Sequence, residues 1–140
     1  GDQGLILQAV SATYAAQVTS SSATLADTGL TATITPVSTL NDVIVFVFQA
    51  GCGKNSGNTQ IDLRLVRDST TLVNFGIASA ATASTATNNI GTCGTVYRDA
   101  PASIASLTYK TQFASSQNIA NAFVQENSSV SRMLLLEVTP

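Results

Sequence analysis

The longest run of hydrophobic residues in the chain lies at residues 42–49, which read Asp-Val-Ile-Val-Phe-Val-Phe-Gln. Its six consecutive apolar residues are all β-branched or aromatic, and the run is too short to span a membrane and shows no helical stripe. Such a run is typical of a central strand that is covered on both faces. We therefore predict that residues 42–49 form the middle strand of a β-sandwich.

Other segments alternate apolar and polar residues with a period of two, as strands with one solvated face do. Residues 30–36 alternate apolar and hydroxyl side chains and end at Pro36, which cannot donate a hydrogen bond to a neighbouring strand. Residues 104–113 place Tyr109 and Phe113 on one face. Further predicted strands cover residues 5–10, 71–77, 92–99 and 130–138, and residues 18–24 form an edge or a connection.

The alternation in residues 60–67 predicts a strand that follows the central strand directly. We predict that residues 60–67 pair with residues 42–49 in an antiparallel hairpin. The segment between them, residues 50–58, contains three glycines and two asparagines, which favour turns. It is therefore predicted to be a long surface loop at the tip of the hairpin.

The whole pattern predicts an all-β protein, an antiparallel and jelly-roll-like β-sandwich of about eight to ten strands. No segment shows an amphipathic helical pattern over three turns, and turn signals, residues 27–29 and 68–70 among them, recur between the strands. Residues 79–89 contain nothing large to bury, which predicts a mobile excursion or a segment held by a neighbouring subunit. We assign residues 5–140 to one sandwich domain and residues 1–4 to the end of an upstream stalk or to a cloning scar.

The charge of the chain excludes one class of partner. Charged residues make up 10% of the 140 residues, the net charge is −2, and the six Lys and Arg are scattered along the sequence. Because such a chain offers no basic stripe to neutralise a phosphate backbone, we expect no nucleic-acid partner. The apolar runs are far too short for a bilayer span, so we also expect no membrane insertion.

The chemistry available to the side chains argues against an enzyme. Histidine is absent, which removes every His-dependent triad and the commonest metal ligand, and two cysteines cannot form a structural zinc site alone. The sequence Gly51-Cys52-Gly53-Lys54 lacks the spacing of a phosphate-binding loop. Hydrolysis by a carboxylate pair remains a formal alternative, but ion pairs and turn caps explain the acidic residues. We expect no catalytic residues, metal or cofactor.

Cys52 and Cys93 both lie in glycine-flanked turns. They form either one disulfide, which would stabilise the fold by about 2–4 kcal/mol, or two unpaired thiols. The sequence leaves both alternatives open.

Several segments resemble a β-sandwich module that occurs in structural proteins of marine tailed bacteriophages, often as the end domain of tail fibres. The resemblance rests on residues 28–36, 53–59, 63–65, 98–102, 108–112 and 134–138. It implies a trimeric virion protein, located in the extracellular particle, and it names no ligand.

Two functions follow from this resemblance. In the first, the domain is the head of a tail fibre and binds a glycan or a protein on the host surface through its loops. The predicted receptor-contact residues are Lys54, Asn55, Ser56, Asn58, Asn88, Asn89, Gln117 and Asn118. In the second, it is a capsid decoration protein, a cement or head-fibre protein that packs against other virion proteins. A polysaccharide-degrading enzyme is a more distant third reading.

Overall fold

The computed structural model describes residues 4–55, 57–82 and 86–140. Strands make up 62% of it, and the described residues contain no α-helix, only a 3₁₀ turn at Glu126–Ser128. The predicted all-β, antiparallel, jelly-roll-like sandwich is confirmed, with ten strands. The strands are β1 (Ile6–Tyr14), β2 (Val18–Ser20), β3 (Ala26–Ile34), β4 (Asp42–Lys54), β5 (Ile61–Arg67), β6 (Thr70–Ser79), β7 (Asn88–Asp99), β8 (Leu107–Ser115), β9 (Ala122–Val124) and β10 (Ser131–Val138).

The strands form two sheets with antiparallel pairing throughout. Sheet A has six strands in the order β1-β10-β4-β9-β2, and β7 pairs with β4 on the opposite side from β10. Sheet B has four strands in the order β3-β8-β5-β6. Their inward-facing side chains form the core between the two layers.

Strand β4 is the central strand that the hydrophobic run predicts. It lies between β10 and β7, and Val43, Val45 and Val47 are fully buried. The prediction that both of its faces are covered is wrong, because Phe48 on the other face is 53% exposed. In a two-layer sandwich only one face of each sheet meets the opposite layer.

The predicted hairpin between residues 42–49 and 60–67 is also wrong. Strand β5 pairs with β6 and β8 in sheet B, and the neighbours of β4 are β10, β7 and β9 in sheet A. The chain therefore passes from sheet A to sheet B between Lys54 and Ile61. The alternating pattern of β5 correctly marks its buried side, but such a pattern does not specify which strand lies beside it.

The predicted surface loop at residues 50–58 is wrong in its first half, because β4 continues to Lys54. The glycines there permit close packing instead of flexibility. Gly51 has a φ of 59° at a bulge in the pairing with β7. A Cβ atom on Gly53 would lie 2.7 Å from the ring of Phe123, so only glycine fits this position without a shift.

The predicted turn at residues 27–29 is likewise part of a strand. It forms a bulge within β3, where the pairing with β8 changes register. Gly29 has a φ of 95°, and the ring of Tyr14 covers it so closely that a Cβ atom would lie 2.2 Å from the ring. The glycine marks a bulge and a close contact between layers.

Other predictions are confirmed. The turn at residues 68–69 joins β5 and β6 as a hairpin, β8 buries Tyr109 and Phe113, and β10 is an inner strand between β1 and β4. Strand β7 begins at Asn88, inside the predicted excursion. Residues 83–85 of that excursion and residues 1–3 lie outside the described residues, so its mobility and the upstream stalk stay predictions.

Candidate binding site at the loop end of the sandwich

The two ends of the sandwich differ in which parts of the chain they hold. At one end, β1 begins and β10 ends beside the start of β4, since Ile6 pairs with Val138 and Val138 pairs with Asp42. We call this the terminal end. At the other end, β4 finishes at Lys54, and the thirteen residues of β4 place the two ends roughly 40 Å apart.

The loop end is the surface formed by the connections β4–β5, β6–β7 and β8–β9 and by the start of β7, of which the structure describes residues 55, 57–60, 80–82, 86–89 and 116–121. Hydrogen bonds join two of these connections. The Asn55 N–H donates to the Asn121 carbonyl at 2.7 Å, and the Ser116 N–H donates to the Gln60 carbonyl at 3.0 Å. The surface is therefore a single unit built from segments that are distant in sequence.

Two buried hydroxyl groups hold the β4–β5 and β8–β9 connections together beneath the surface of the loop end. Thr59 Oγ1 and Ser115 Oγ lie 2.7 Å apart, and both residues are buried. The Ser115 hydroxyl also donates to the Ala120 carbonyl at 2.5 Å, and the Gln117 N–H donates to Thr59 Oγ1 at 3.3 Å. Neither residue could be singled out from the sequence, because Ser and Thr are abundant throughout the chain.

Lys54 does not lie on an exposed loop, contrary to the prediction. Its side chain is fully buried, and its ammonium group donates to the Gly57 carbonyl at 2.6 Å and to the Thr82 hydroxyl. A buried ammonium group requires such partners, because its desolvation is otherwise costly. Lys54 thus joins the β4–β5 and β6–β7 connections, and it is excluded as a receptor contact.

The structure brings most of the other predicted contact residues to the loop end. Asn55, Asn58, Asn89, Gln117 and Asn118 are exposed there, whereas Asn88 is half-buried and donates to the Ala80 carbonyl at 3.2 Å. Ser56 lies outside the described residues. The Asn118 side chain also accepts a hydrogen bond from the Ala23 N–H at 3.3 Å, which fixes its position.

The exposed side chains of the loop end carry no charge, and the Lys54 ammonium group beneath them is buried. Residues 55–60, 80–89 and 116–121 contain no Asp, Glu, Lys or Arg. Its exposed Asn and Gln amides each present hydrogen-bond donors and an acceptor. Ser116 Oγ is buried here and is the only buried side-chain oxygen or nitrogen among the described residues without a hydrogen-bond partner. Such a surface suits a neutral ligand with many hydroxyl or amide groups.

The two cysteines lie together on the inward side of β4 and β7, just beneath the loop end. Both are thiols, and they belong to one core cluster with Phe113 and Val124. The contact with Cys93, together with burial, raises the pKa of Cys52, and the hydrogen bond from the Cys52 thiol lowers the pKa of Cys93 to about 7. The structure brings the predicted pair into contact, and the bond between them stays a prediction.

A buried polar network that the sequence did not reveal joins the two sheets. The Gln49 amide donates to Gln125 and, at 3.1 Å, to Ser131, and its oxygen accepts from Thr111 Oγ1 at 2.6 Å. All four residues are fully buried, with Thr111 in sheet B and Gln49 and Ser131 in sheet A. Because these groups satisfy one another, the network serves the fold and offers nothing to a ligand.

Within the ranges that the structure describes, no three His, Cys, Asp or Glu side chains come close enough to hold a metal ion. The described residues also include no helix that is long and apolar enough to cross a membrane. No protein-family model matches the chain, and no curated protein sequence matches it.

Proposed function

We propose that this protein is a non-enzymatic component of a bacteriophage virion, the head domain of a tail fibre that recognises the host surface as a homotrimer. The loop end is its receptor-binding surface. The receptor is a neutral glycan or a protein segment that is bound through amide and hydroxyl groups.

The observation that carries this proposal is the separation of the two ends. The neutral, amide-rich loops lie at one end of β4, and Leu5 lies at the other, where it exchanges hydrogen bonds of 2.9 and 3.0 Å with Thr139. A fibre attached through the N-terminal segment would therefore present the loop end outward. Binding sites are commonly built from loops that a rigid scaffold holds.

The proposal includes no catalytic step. A general acid or base needs an ionisable side chain within reach of the reacting group, and the exposed side chains of the loop end include none, since the Lys54 ammonium group beneath them is buried and bonded to Gly57 and Thr82. No cofactor or metal is required by a site of this kind.

A second candidate function is capsid decoration, and the terminal end is the observation that favours it. Leu5, Val37, Leu40 and Ile104 are all more than 60% exposed there, at 66%, 70%, 74% and 61%. Exposed apolar patches mark surfaces that bind other proteins. In this reading the terminal end packs against other virion proteins and the loop end has no receptor.

The two functions can be distinguished with the full chain carrying a fluorescent label. The fibre-head proposal predicts saturable binding to cells of at least one strain in a panel of marine bacteria. The decoration proposal predicts no binding to any strain and saturable attachment to phage capsids that lack this protein.

A further inference from the structure

The outer face of sheet A, which points away from the core, carries an arginine beside an exposed aromatic ring. Arg132 of β10 pairs with Phe48 of β4 on one side and with Thr13 of β1 on the other. Side chains that lie directly opposite each other on paired strands have Cβ atoms about 4.5–5.5 Å apart. Phe48 is 53% exposed, and Arg132 is exposed as well. A guanidinium group and an aromatic ring are therefore open to solvent side by side.

The residues that flank this pair leave it uncovered. Phe48 pairs on its other side with Gly94 of β7, which has no side chain. Thr13, on the far side of Arg132, ends in a short hydroxyl group. Neither neighbour is large enough to cover the aromatic ring or the guanidinium group, so a ligand can reach both at once.

The pair borders a groove that runs across β10 between β1 and β4. The volume of the groove is about 300 Å³, and the residues that line it include Ser11, Thr13, Phe46, Phe48, Arg132 and Leu134. Ligand sites commonly measure about 300–1,000 Å³, so this groove suits a ligand about the size of one ring. The hydroxyl groups of Ser11 and Thr13 offer hydrogen bonds along the side formed by β1.

The positive charge of Arg132 has no counterpart on this face. Within the described part of the chain, no carboxylate forms an ion pair with Arg132. Asp42 lies at the far end of the face, roughly 20 Å away, and pairs with Arg98 at 2.6 Å. The carboxylates of Asp99 and Glu137, on the neighbouring strands, are buried. The groove therefore favours an anionic ligand.

We propose that this groove is a second binding site, separate from the loop end, and that it binds a hexuronic acid unit of a glycan. The planar guanidinium group of Arg132 matches a carboxylate and can bind it through two parallel hydrogen bonds. A pyranose ring has an apolar face of C–H groups, which can stack on the exposed ring of Phe48. The sugar hydroxyls then face the hydroxyl groups of Ser11 and Thr13.

Other occupants use fewer features of the groove. A fatty acid shares the carboxylate, but its chain would stay largely in water along an open groove and would gain little from burial. A neutral sugar would leave the charge of Arg132 without a partner, and a small carboxylate such as acetate would make no use of Phe48. A uronic acid has both an anionic group and an apolar ring face, so it engages both residues.

The test is a titration of the full chain with methyl glycosides, followed by two-dimensional amide NMR. The methyl glycosides of glucuronic and galacturonic acid are compared with methyl glucoside and methyl galactoside, which lack the carboxylate. We expect at least one uronide to shift the amide signals of Arg132, Phe48 and Gly94 saturably. The neutral glycoside of the same sugar should have a dissociation constant about tenfold higher or more, because it cannot form the paired hydrogen bonds. Sodium acetate over the same range should give no saturable shifts.

Two arginine variants form a matched pair. Arg132→Gln should raise the dissociation constant of the uronide about tenfold or more and leave that of the neutral glycoside unchanged. Arg98→Gln removes the same charge from the same face, at a residue that already pairs with Asp42, and should leave uronide binding unchanged. Because both arginines are exposed, both variants should fold, and their NMR spectra check this.

Three results would each overturn the inference. The first is no saturable shift with either uronide, the second is equally tight binding of the uronide and of acetate or the neutral glycoside, and the third is an equal effect of Arg132→Gln and Arg98→Gln. No cells enter these measurements, so failure of the receptor proposal at the loop end is seen separately.

Discussion

The phenolic O–H of Tyr109 donates a 2.6 Å hydrogen bond to Asp99, and this bond ties β8 of sheet B to β7 of sheet A. Arg67 of β5 pairs with the same carboxylate at 2.5 Å. Tyr109 is fully buried, and burial together with the bond to Asp99 raises the pKa of its phenol. The three side chains form a charged contact between the layers.

Tyr109→Phe should destabilise the protein by about 1.5–3 kcal/mol, because it removes a buried hydrogen bond to a charged group. The free energy of unfolding in urea measures this. Tyr97→Phe is the matched control, since Tyr97 lies on the same strand as Asp99 and is only partly buried. Equal effects of the two substitutions would show that the bond to Asp99 contributes nothing specific.

The hydrogen bonds to the buried Glu137 carboxylate predict that the protein loses stability at acidic pH. Burial raises its pKa, but hydrogen bonds from the Gln8 amide, the Val37 N–H and the Asn41 amide outweigh burial and hold the pKa below its ordinary value of 4.5. The folded state therefore favours the carboxylate. Its contribution to stability is present above the ordinary value and is lost as the pH falls through the lower value of the folded state.

Glu137→Gln should lower the free energy of unfolding by about 1–3 kcal/mol at neutral pH, because an amide cannot accept all of these hydrogen bonds. The variant should also lose less stability than the unmodified chain between about pH 5 and pH 3. Urea unfolding across this range measures both effects. Glu126→Gln, at a partly exposed position, is the control and should have little effect. Parallel pH profiles for the unmodified chain and Glu137→Gln would contradict the account.

The contact between Cys52 and Cys93 predicts a disulfide under oxidising conditions. With a pKa of about 7, Cys93 is partly thiolate at neutral pH and can attack oxidised glutathione, which releases one glutathione thiolate. Cys52 then attacks the mixed disulfide, and a second glutathione thiolate leaves. The count of reactive thiols in the denatured protein should fall from two to zero.

The bond would close a loop of about 40 residues and stabilise the protein by roughly 4 kcal/mol, which a higher Tm would show. Cys52→Ser is the control, because it stops the reaction at the mixed disulfide. Two thiols that remain reactive after the treatment would contradict the prediction.

The sequence predicts where the strands lie far better than it predicts which strands pair with one another. The alternating residues of β3 and β8 reveal their buried sides, and those sides face the core as expected. The partner of β4 was not predictable, because β5 and β10 are both apolar enough to lie beside it and only the three-dimensional packing selects β10.

Glycine and lysine account for the errors at the candidate site. From the sequence, Gly51 and Gly53 predicted a surface loop. In the structure, their lack of a side chain leaves room for neighbouring backbone atoms and for the Phe123 ring. From the sequence, Lys54 was predicted to be exposed. In the structure, its buried ammonium group donates hydrogen bonds to the carbonyl of Gly57 and the hydroxyl of Thr82. Neither reading could be corrected without knowing which segments converge at the loop end.

The receptor-binding role of the loop end is tested most directly by one cell-binding measurement on a strain that the labelled full chain binds. Asn58→Arg changes an exposed residue of the loop end, and Thr39→Arg makes the same change at an exposed position of the terminal end. The account predicts that Asn58→Arg weakens binding about tenfold or more, equivalent to about 1.4 kcal/mol, and that Thr39→Arg leaves it unchanged. Unchanged binding by Asn58→Arg and weakened binding by Thr39→Arg would contradict it and place the receptor site at the terminal end.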